Sequence, residues 1–172
     1  MTDPDTARYA SHSRWSDPGP FAGQFAALAA DPGALPDIVG GLMLHPMFAA
    51  PGGDASEATL RSARQIVAGV LARDPRPLGE PREPGRRVIG TCRSYALLAC
   101  AILRQHGTPA RLRVGFADYF APGRWEDHWV CEYHDGTAWR LLDAELSSDV
   151  RRRFGIAFDP AEVGAIDSGI VS

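Results

Sequence analysis

A thiol site for acyl transfer needs a cysteine, a histidine and an acid that orients the histidine, and this chain carries Cys92, His128 and Asp143 in that order. A free thiol titrates near ~8.5, so at neutral pH it needs a base and an electropositive seat before it is a useful nucleophile. Cys92 opens the run 92–103, which is apolar nearly all the way round and reads as a buried helix. The unpaired N–H groups and positive dipole end of a helix N-terminus favour a thiolate there. His128 can accept the thiol proton and return it to a leaving amine. Asp143 can hold the imidazole through one ring N–H and set its tautomer. Together these groups suit attack on an amide carbonyl through a thioester.

The other candidates read more plainly. Cys100 lies deep in the apolar run and belongs to the core. Cys131 follows His128 by three, so on a strand the two point to opposite faces and make a poor metal pair; no CxxC completes one. The reading therefore calls for no metal and no cofactor. His106 suits a helix C-terminus and His134 a solvated turn. His45 reads as a core or helix-end histidine, with a place in the cleft as the alternative. Glu132 shares a strand face with His128, which allows a supporting role beside it or a structural salt bridge. Trp125, Trp129 and Trp139 read as aromatic core, with a groove wall as the alternative.

The elements that must position these residues follow from pattern. The spacing predicts a short helix with Phe25 and Leu28 inward. A second runs from Pro36-Asp37 through Ile38, Leu42 and His45, ending before Pro46. Asp54-Ala55-Ser56-Glu57 has the form of a capping box, followed by a stripe of Leu60, Ala63, Val67, Val70 and Leu71. The Pro-rich stretch 74–87 reads as a long loop, either a rim of the site or a mobile connector. The buried helix runs from Thr91 or Cys92 to His106, with Gly107 and Pro109 closing it. Strands are predicted over 110–119, with Leu112, Val114 and Phe116 on one face, then over 128–134 and 138–143. Asp135-Gly136-Thr137 makes a hairpin of the last two, so the start of one strand lies beside the end of the next. His128 and Asp143 are thereby expected as neighbours. Arg151-Arg152-Arg153 reads as a solvated helix face, and 154–172 as a tail. Helices first and an antiparallel sheet second predict an α+β domain with the buried helix across the sheet.

Bulk properties bound the function. The 172 residues suit one domain, and 45% hydrophobic with 23% charged is ordinary globular composition. A net charge of −3 carries no nucleic-acid footprint. An odd count of three cysteines is no disulfide framework, the first residues hold no apolar segment of a signal peptide, and no run approaches the ~20 residues of a membrane span. The expected setting is cytoplasmic, with no membrane and no nucleic acid as partner.

The motifs Gly90-Thr91-Cys92-Arg93-Ser94-Tyr95-Ala96, Gly107-Thr108-Pro109-Ala110-Arg111, Asp127-His128-Trp129-Val130 and Trp139-Arg140-Leu141-Leu142-Asp143 together resemble the transglutaminase-like superfamily. The resemblance covers roughly residues 88–146. Ser16-Asp17-Pro18-Gly19 and Leu42-Met43-Leu44-His45 resemble a subgroup of small bacterial members. The resemblance implies a papain-like fold with Cys92 as nucleophile, His128 as base and Asp143 as orienter. Two departures stand out: Ala144-Glu145 follows the aspartate where many members have Pro-Thr, and Trp129 follows the histidine where a small residue is usual. One oxyanion donor would be the backbone N–H of Cys92; the sequence names no second.

The expected organisation is a single domain over 1–172, with a mainly helical part over 1–87, the transglutaminase-like core over 88–146 and a tail over 147–172. The expected function is a cysteine-dependent amide or isopeptide hydrolase or acyltransferase acting on a peptide or amide-containing small molecule. The alternative is a silent fold of this type serving as a binding module.

Overall fold

The structure is a computed structural model, and it describes residues 4–49, 58–121, 123–159 and 170–171. The elements run α1 (Pro4–Ala7), α2 (Ala22–Ala26), α3 (Leu35–Leu42), β1 (Met43–Leu44), α4 (Ala63–Arg73), β2 (Val88–Ile89), α5 (Cys92–Gln105), β3 (Ala110–Ala117), β4 (Glu126–His134), β5 (Trp139–Leu142), α6 (Ser148–Phe154) and β6 (Ile170–Val171). This is the expected α+β order, helices first and an antiparallel sheet after.

Helix α5 is the centre. Every residue from Ser94 to Leu103 is buried, as an all-round apolar helix requires. It stops where Gly107 adopts φ 78°, a conformation costly for a side chain with a Cβ. There Thr108 N–H donates to Leu103 O and Gly107 N–H to Arg104 O, which satisfies two of the orphan carbonyls. The helix packs on β4 and β3, with α2, α3 and α4 against its other sides. Leu97, Leu98, Ile102 and Leu103 join Phe25, Leu42, Ile66 and Val70 in one core.

The main sheet has the order β5-β4-β3-β6. In the β4–β5 hairpin Cys131 pairs with Leu142 and His134 with Trp139. The turn is tied by Asp135, whose Oδ1 accepts from Thr137 N–H at 2.7 Å and Ala138 N–H at 2.8 Å. A second, parallel pairing links distant parts of the chain: β1 meets β2 through Met43–Val88 and Leu44–Ile89.

Several expectations need correction. Helix α3 ends at Leu42, and His45 lies beyond it, because Met43 and Leu44 turn extended to pair with β2. Helix α4 begins at Ala63, so Leu60 and Arg61 are outside it. Its capping box is Ser62 with Gln65, each side chain bonded to the other's backbone N–H. The box expected at 54–57 lies outside the described residues. Val114 and Phe116 are 51% and 50% exposed, and of that strand face Leu112 packs against the core. The stretch 74–87 is tied to the fold and reaches the site only at its end, where Arg87 lines a cavity with Glu145. It wraps around the buried side chain of Arg82, which donates to the carbonyls of Asp74, Arg76, Pro77 and Glu80. Arg151 is not simply solvated: its guanidinium donates to Leu146 O and Phe158 O, and Arg153 stacks on Phe48. None of the three tryptophans is core. Trp125 is half exposed, Trp129 lines a surface cavity with Trp15 and Arg93, and Trp139 carries the Arg111 guanidinium 4.0 Å from its ring centre. Among the described residues no helix is long and apolar enough to cross a membrane.

Candidate active site

Four segments converge on Cys92. It is the first residue of α5, after Thr91 at the N-cap, and is partly exposed while the rest of the helix dives into the core. Glycine ahead of it leaves room for close packing. A Cβ on Gly90 would stand 2.1 Å from Met43 Cε and 3.1 Å from Ser94 Cβ, so β1 and the first turn of α5 close on the Gly90 backbone. Gly90 N–H donates to Leu44 O at 3.1 Å, extending the β1–β2 pairing to the doorstep of Cys92.

His128 and Asp143 meet through the hairpin. The register puts Asp143, one residue past β5, level with Val130, and its side chain reaches diagonally to His128. His128 Nε2 lies 2.8 Å from Asp143 Oδ2, both side chains buried. Burial pushes His128 down. The charge of Asp143, its hydrogen bond and a side-chain hydrogen bond with Cys92 push it up, and the balance lies well above the usual imidazole value. Burial pushes Asp143 up, but the charge and hydrogen bond of His128 and the hydroxyl of Tyr119 bring it below its ordinary value. The Asp143 carboxylate therefore favours the imidazolium form of His128 in the cavity that Cys92 lines. With Nε2 engaged by Asp143, Nδ1 is the nitrogen left for Cys92.

The site contains groups that the sequence did not single out for it. Tyr119 O–H donates to the same Asp143 Oδ2, while Glu145 N–H donates to Oδ1 at 3.0 Å. All of this fixes the carboxylate plane. Phe120 lies edge-on to the His128 ring at 5.4 Å and meets Phe154 of α6 at 5.5 Å. That helix is anchored by Asp37 of α3, which accepts from Ser148 N–H and Oγ–H at 2.7 Å each. Tyr119 and Phe120 follow β3 with no motif of their own; two adjacent aromatics just past a strand end were the available signal.

The cavity that these residues enclose is about 70 Å³, lined by His45, Met47, Cys92, Phe120, His128 and Glu145 among others. Glu145 is 4% exposed. Burial and then the charge of Asp143 push its carboxyl up to about 8, partly offset by His128. The sign of the linked stability is definite. The unfolded chain loses this proton near 4.5 and the folded chain near 8, so the folded state binds more protons in between and stability falls as pH rises across that window. Glu145→Gln should therefore lose less stability than the parent between pH 5 and pH 9 in urea unfolding. Parallel losses in the two proteins would mean that Glu145 ionises normally.

Glu132 is not part of this site. Arg111 Nε and Arg113 Nη1 hold it at 2.7 and 2.8 Å, the salt bridge reading. Cys100 and Cys131 are fully buried and face each other between α5 and β4, where burial pushes the Cys131 thiol up. His106 caps α5 with Nε2 3.3 Å from Phe25 O, and His134 Nδ1 accepts from Gly136 N–H within the turn. Among the described residues no group of three or more His, Cys, Asp or Glu is arranged to hold a metal ion.

Comparison with known proteins gives three findings. No curated protein matches the chain. A solved structure from Cytophaga hutchinsonii, described as a "putative cysteine protease", is similar with a TM-score of 0.57 at 20% identity, over 84% of this chain and 43% of that one. The likeness at this identity is one of fold, a papain-like arrangement of helix and antiparallel sheet, and the chain spans less than half of that protein's length. A family model described as the transglutaminase-like superfamily matches residues 56–144, from ahead of α4 to the residue after Asp143. With that match spanning more than half of its residues, the chain belongs to the transglutaminase-like superfamily.

Proposed function

We propose that the chain is a cysteine-dependent amide or isopeptide hydrolase or acyltransferase. His128 takes the proton of the Cys92 thiol, Sγ attacks the carbonyl carbon, the resulting imidazolium returns the proton to the departing amine, and a thioester forms. Attack by water then completes hydrolysis, and attack by an amine completes transamidation. Asp143 holds the imidazolium, and Tyr119 with the Glu145 N–H holds Asp143. The observation that carries the proposal is the buried His128–Asp143 pair, 2.8 Å apart, with Cys92 lining the same cavity as His128 at the mouth of a buried helix.

A cavity of about 70 Å³ has room for the reacting carbonyl and little more. Glu145 also lines a neighbouring cavity of about 140 Å³ with Tyr95, Arg87 and Arg153. A peptide or amide substrate straddling Glu145 would use both. The proposal includes a cytoplasmic setting, where a reducing pool keeps thiols free, and neither nucleic acid nor membrane as a partner.

Iodoacetamide at neutral pH, read by mass spectrometry, tests the role of the thiol. Cys92 is expected to alkylate far faster than Cys100 and Cys131. Exposure alone would produce that order, so His128→Ala is the deciding protein: it should slow Cys92 by about tenfold or more if His128 activates the thiol. An unchanged rate would reduce Cys92 to an ordinary exposed cysteine and favour a binding module. A thioester trapped from an amide library, absent in Cys92→Ala, would then identify the substrate class.

A further inference from the structure

A tetrahedral intermediate at Cys92 needs two N–H donors for its oxygen, and the backbone N–H of Cys92 is one. The cavity lining narrows the choice of the other. Met47, Ala117 and Phe120 carry no polar side-chain hydrogen. Glu126 is paired with Arg124 at 3.2 Å and Asp127 is exposed, both carboxylates suited to accept. His128 is engaged with Asp143 and Cys92. His45 and Glu145 remain.

The tautomer of His45 is set by its surroundings. Its Nδ1 accepts from Met47 N–H at 3.3 Å, so the proton of the neutral ring is on Nε2. Glu145 Oε1 lies 3.9 Å from that same Nδ1. Burial, and then the charge of His128, hold His45 below its usual range, while burial holds Glu145 in its acid form up to about 8. The two are thus a neutral pair at pH 7, not an ion pair, and Met47 N–H is the donor at Nδ1. That leaves Nε2–H as the donor end of the ring. The β1–β2 pairing fixes where the ring sits, since Leu44, the residue before it, accepts from Gly90 N–H two residues ahead of Cys92.

We propose that His45 Nε2–H is the second oxyanion donor, a catalytic role that rests on Cys92 being the nucleophile. As the Sγ–C bond forms, the carbonyl π pair moves onto oxygen, and that oxygen accepts from Cys92 N–H and His45 Nε2–H. Collapse restores the C=O bond and expels the leaving group. His45 neither gains nor loses a proton in the step. Glu145 is a positioning residue: a neutral acid 3.9 Å from Nδ1 places no negative charge there that would draw a second proton onto the ring.

Two reagents separate this role from a general effect on the thiol. Iodoacetamide alkylates by displacement at carbon and builds no oxyanion. p-Nitrophenyl acetate acylates through a tetrahedral oxyanion, and its leaving group needs no proton from His128. His45→Ala is expected to slow the p-nitrophenolate burst by ~10²-fold while changing iodoacetamide alkylation less than threefold. His45→Gln, which offers an amide N–H at similar reach, should recover at least tenfold of the lost burst rate. Equal slowing with both reagents, or no slowing of the burst, would overturn the assignment, as would a His45→Gln protein no faster than His45→Ala. Failure of the underlying reading looks different: Cys92→Ala would then retain the parental burst.

Discussion

Asp143→Asn is expected to slow acylation of Cys92 by p-nitrophenyl acetate ~10²–10⁴-fold while leaving a folded protein. Two forces act on His128 in opposite directions. Burial alone would strip its proton, and the Asp143 carboxylate, 2.8 Å from Nε2, more than offsets that. An amide keeps the shape and loses the charge. It also cannot meet every donor, because Asp143 Oδ2 accepts from His128 and Tyr119 while Oδ1 accepts from Glu145 N–H. Asparagine offers one acceptor oxygen, so its NH2 must face a donor on one side. The imidazolium is lost, and with it the positive partner of a thiolate. The pH dependence of stability should move as well. In the parent, His128 contributes stability fully below its unfolded value of 6.5, lost as pH rises through its higher folded value. Asp143 contributes stability above 3.8, lost as pH falls through its lower folded value. Urea midpoints of parent and variant should differ most between about pH 4 and pH 6.5, and converge as pH falls well below 3.8 or rises through the raised folded value of His128. A variant that reacts within threefold of the parent would show that Asp143 supports the fold and not the thiol.

Arg82→Leu carries the largest expected loss of stability, about 3 kcal/mol or more. The side chain is 1% exposed, and its two terminal nitrogens donate to four loop carbonyls, Pro77 O at 2.7 Å and Asp74 O at 3.2 Å among them. Hydrogen bonds from charged donors are the strong ones, and a leucine leaves the carbonyls without partners. Swapping a buried ion pair for apolar residues can be neutral because both partners go; here only one does. The consequence reaches the site. Arg82 N–H also donates to Gly41 O at 2.8 Å, and the loop feeds β2, which seats both Leu44 and the turn before Cys92. Arg82→Lys keeps the charge but lacks the planar fork, so it should recover little. A urea midpoint giving less than 1 kcal/mol for Arg82→Leu would mean that the loop holds without its central guanidinium.

What could be read in the linear sequence was whatever contiguous residues specify. Helix α5 announces itself by fourteen residues with hardly a polar face, Gly107 and Pro109 mark its end, and Asp135-Gly136-Thr137 dictates the hairpin. Because strand pairing is register-bound, that hairpin brings residues 128 and 143 together without any knowledge of the rest. Other features depend on partners distant in sequence. The parallel pairing of residues 43–44 with 88–89 leaves no local trace, so the spacing carries the helix on to His45 although it ends three residues earlier. The capping box of α4 lies later than the local pattern suggests, since leucine and arginine at 60–61 fit a helical stripe as well as a loop. Tyr119, Glu145 and Arg82 are polar, and nothing in a polar residue's type says that other elements will bury it. The cysteine at the mouth of a buried helix was determined by the sequence. Which groups close around it, and in what protonation state, was decided by the tertiary structure, because burial and proximity are properties of the packed chain alone.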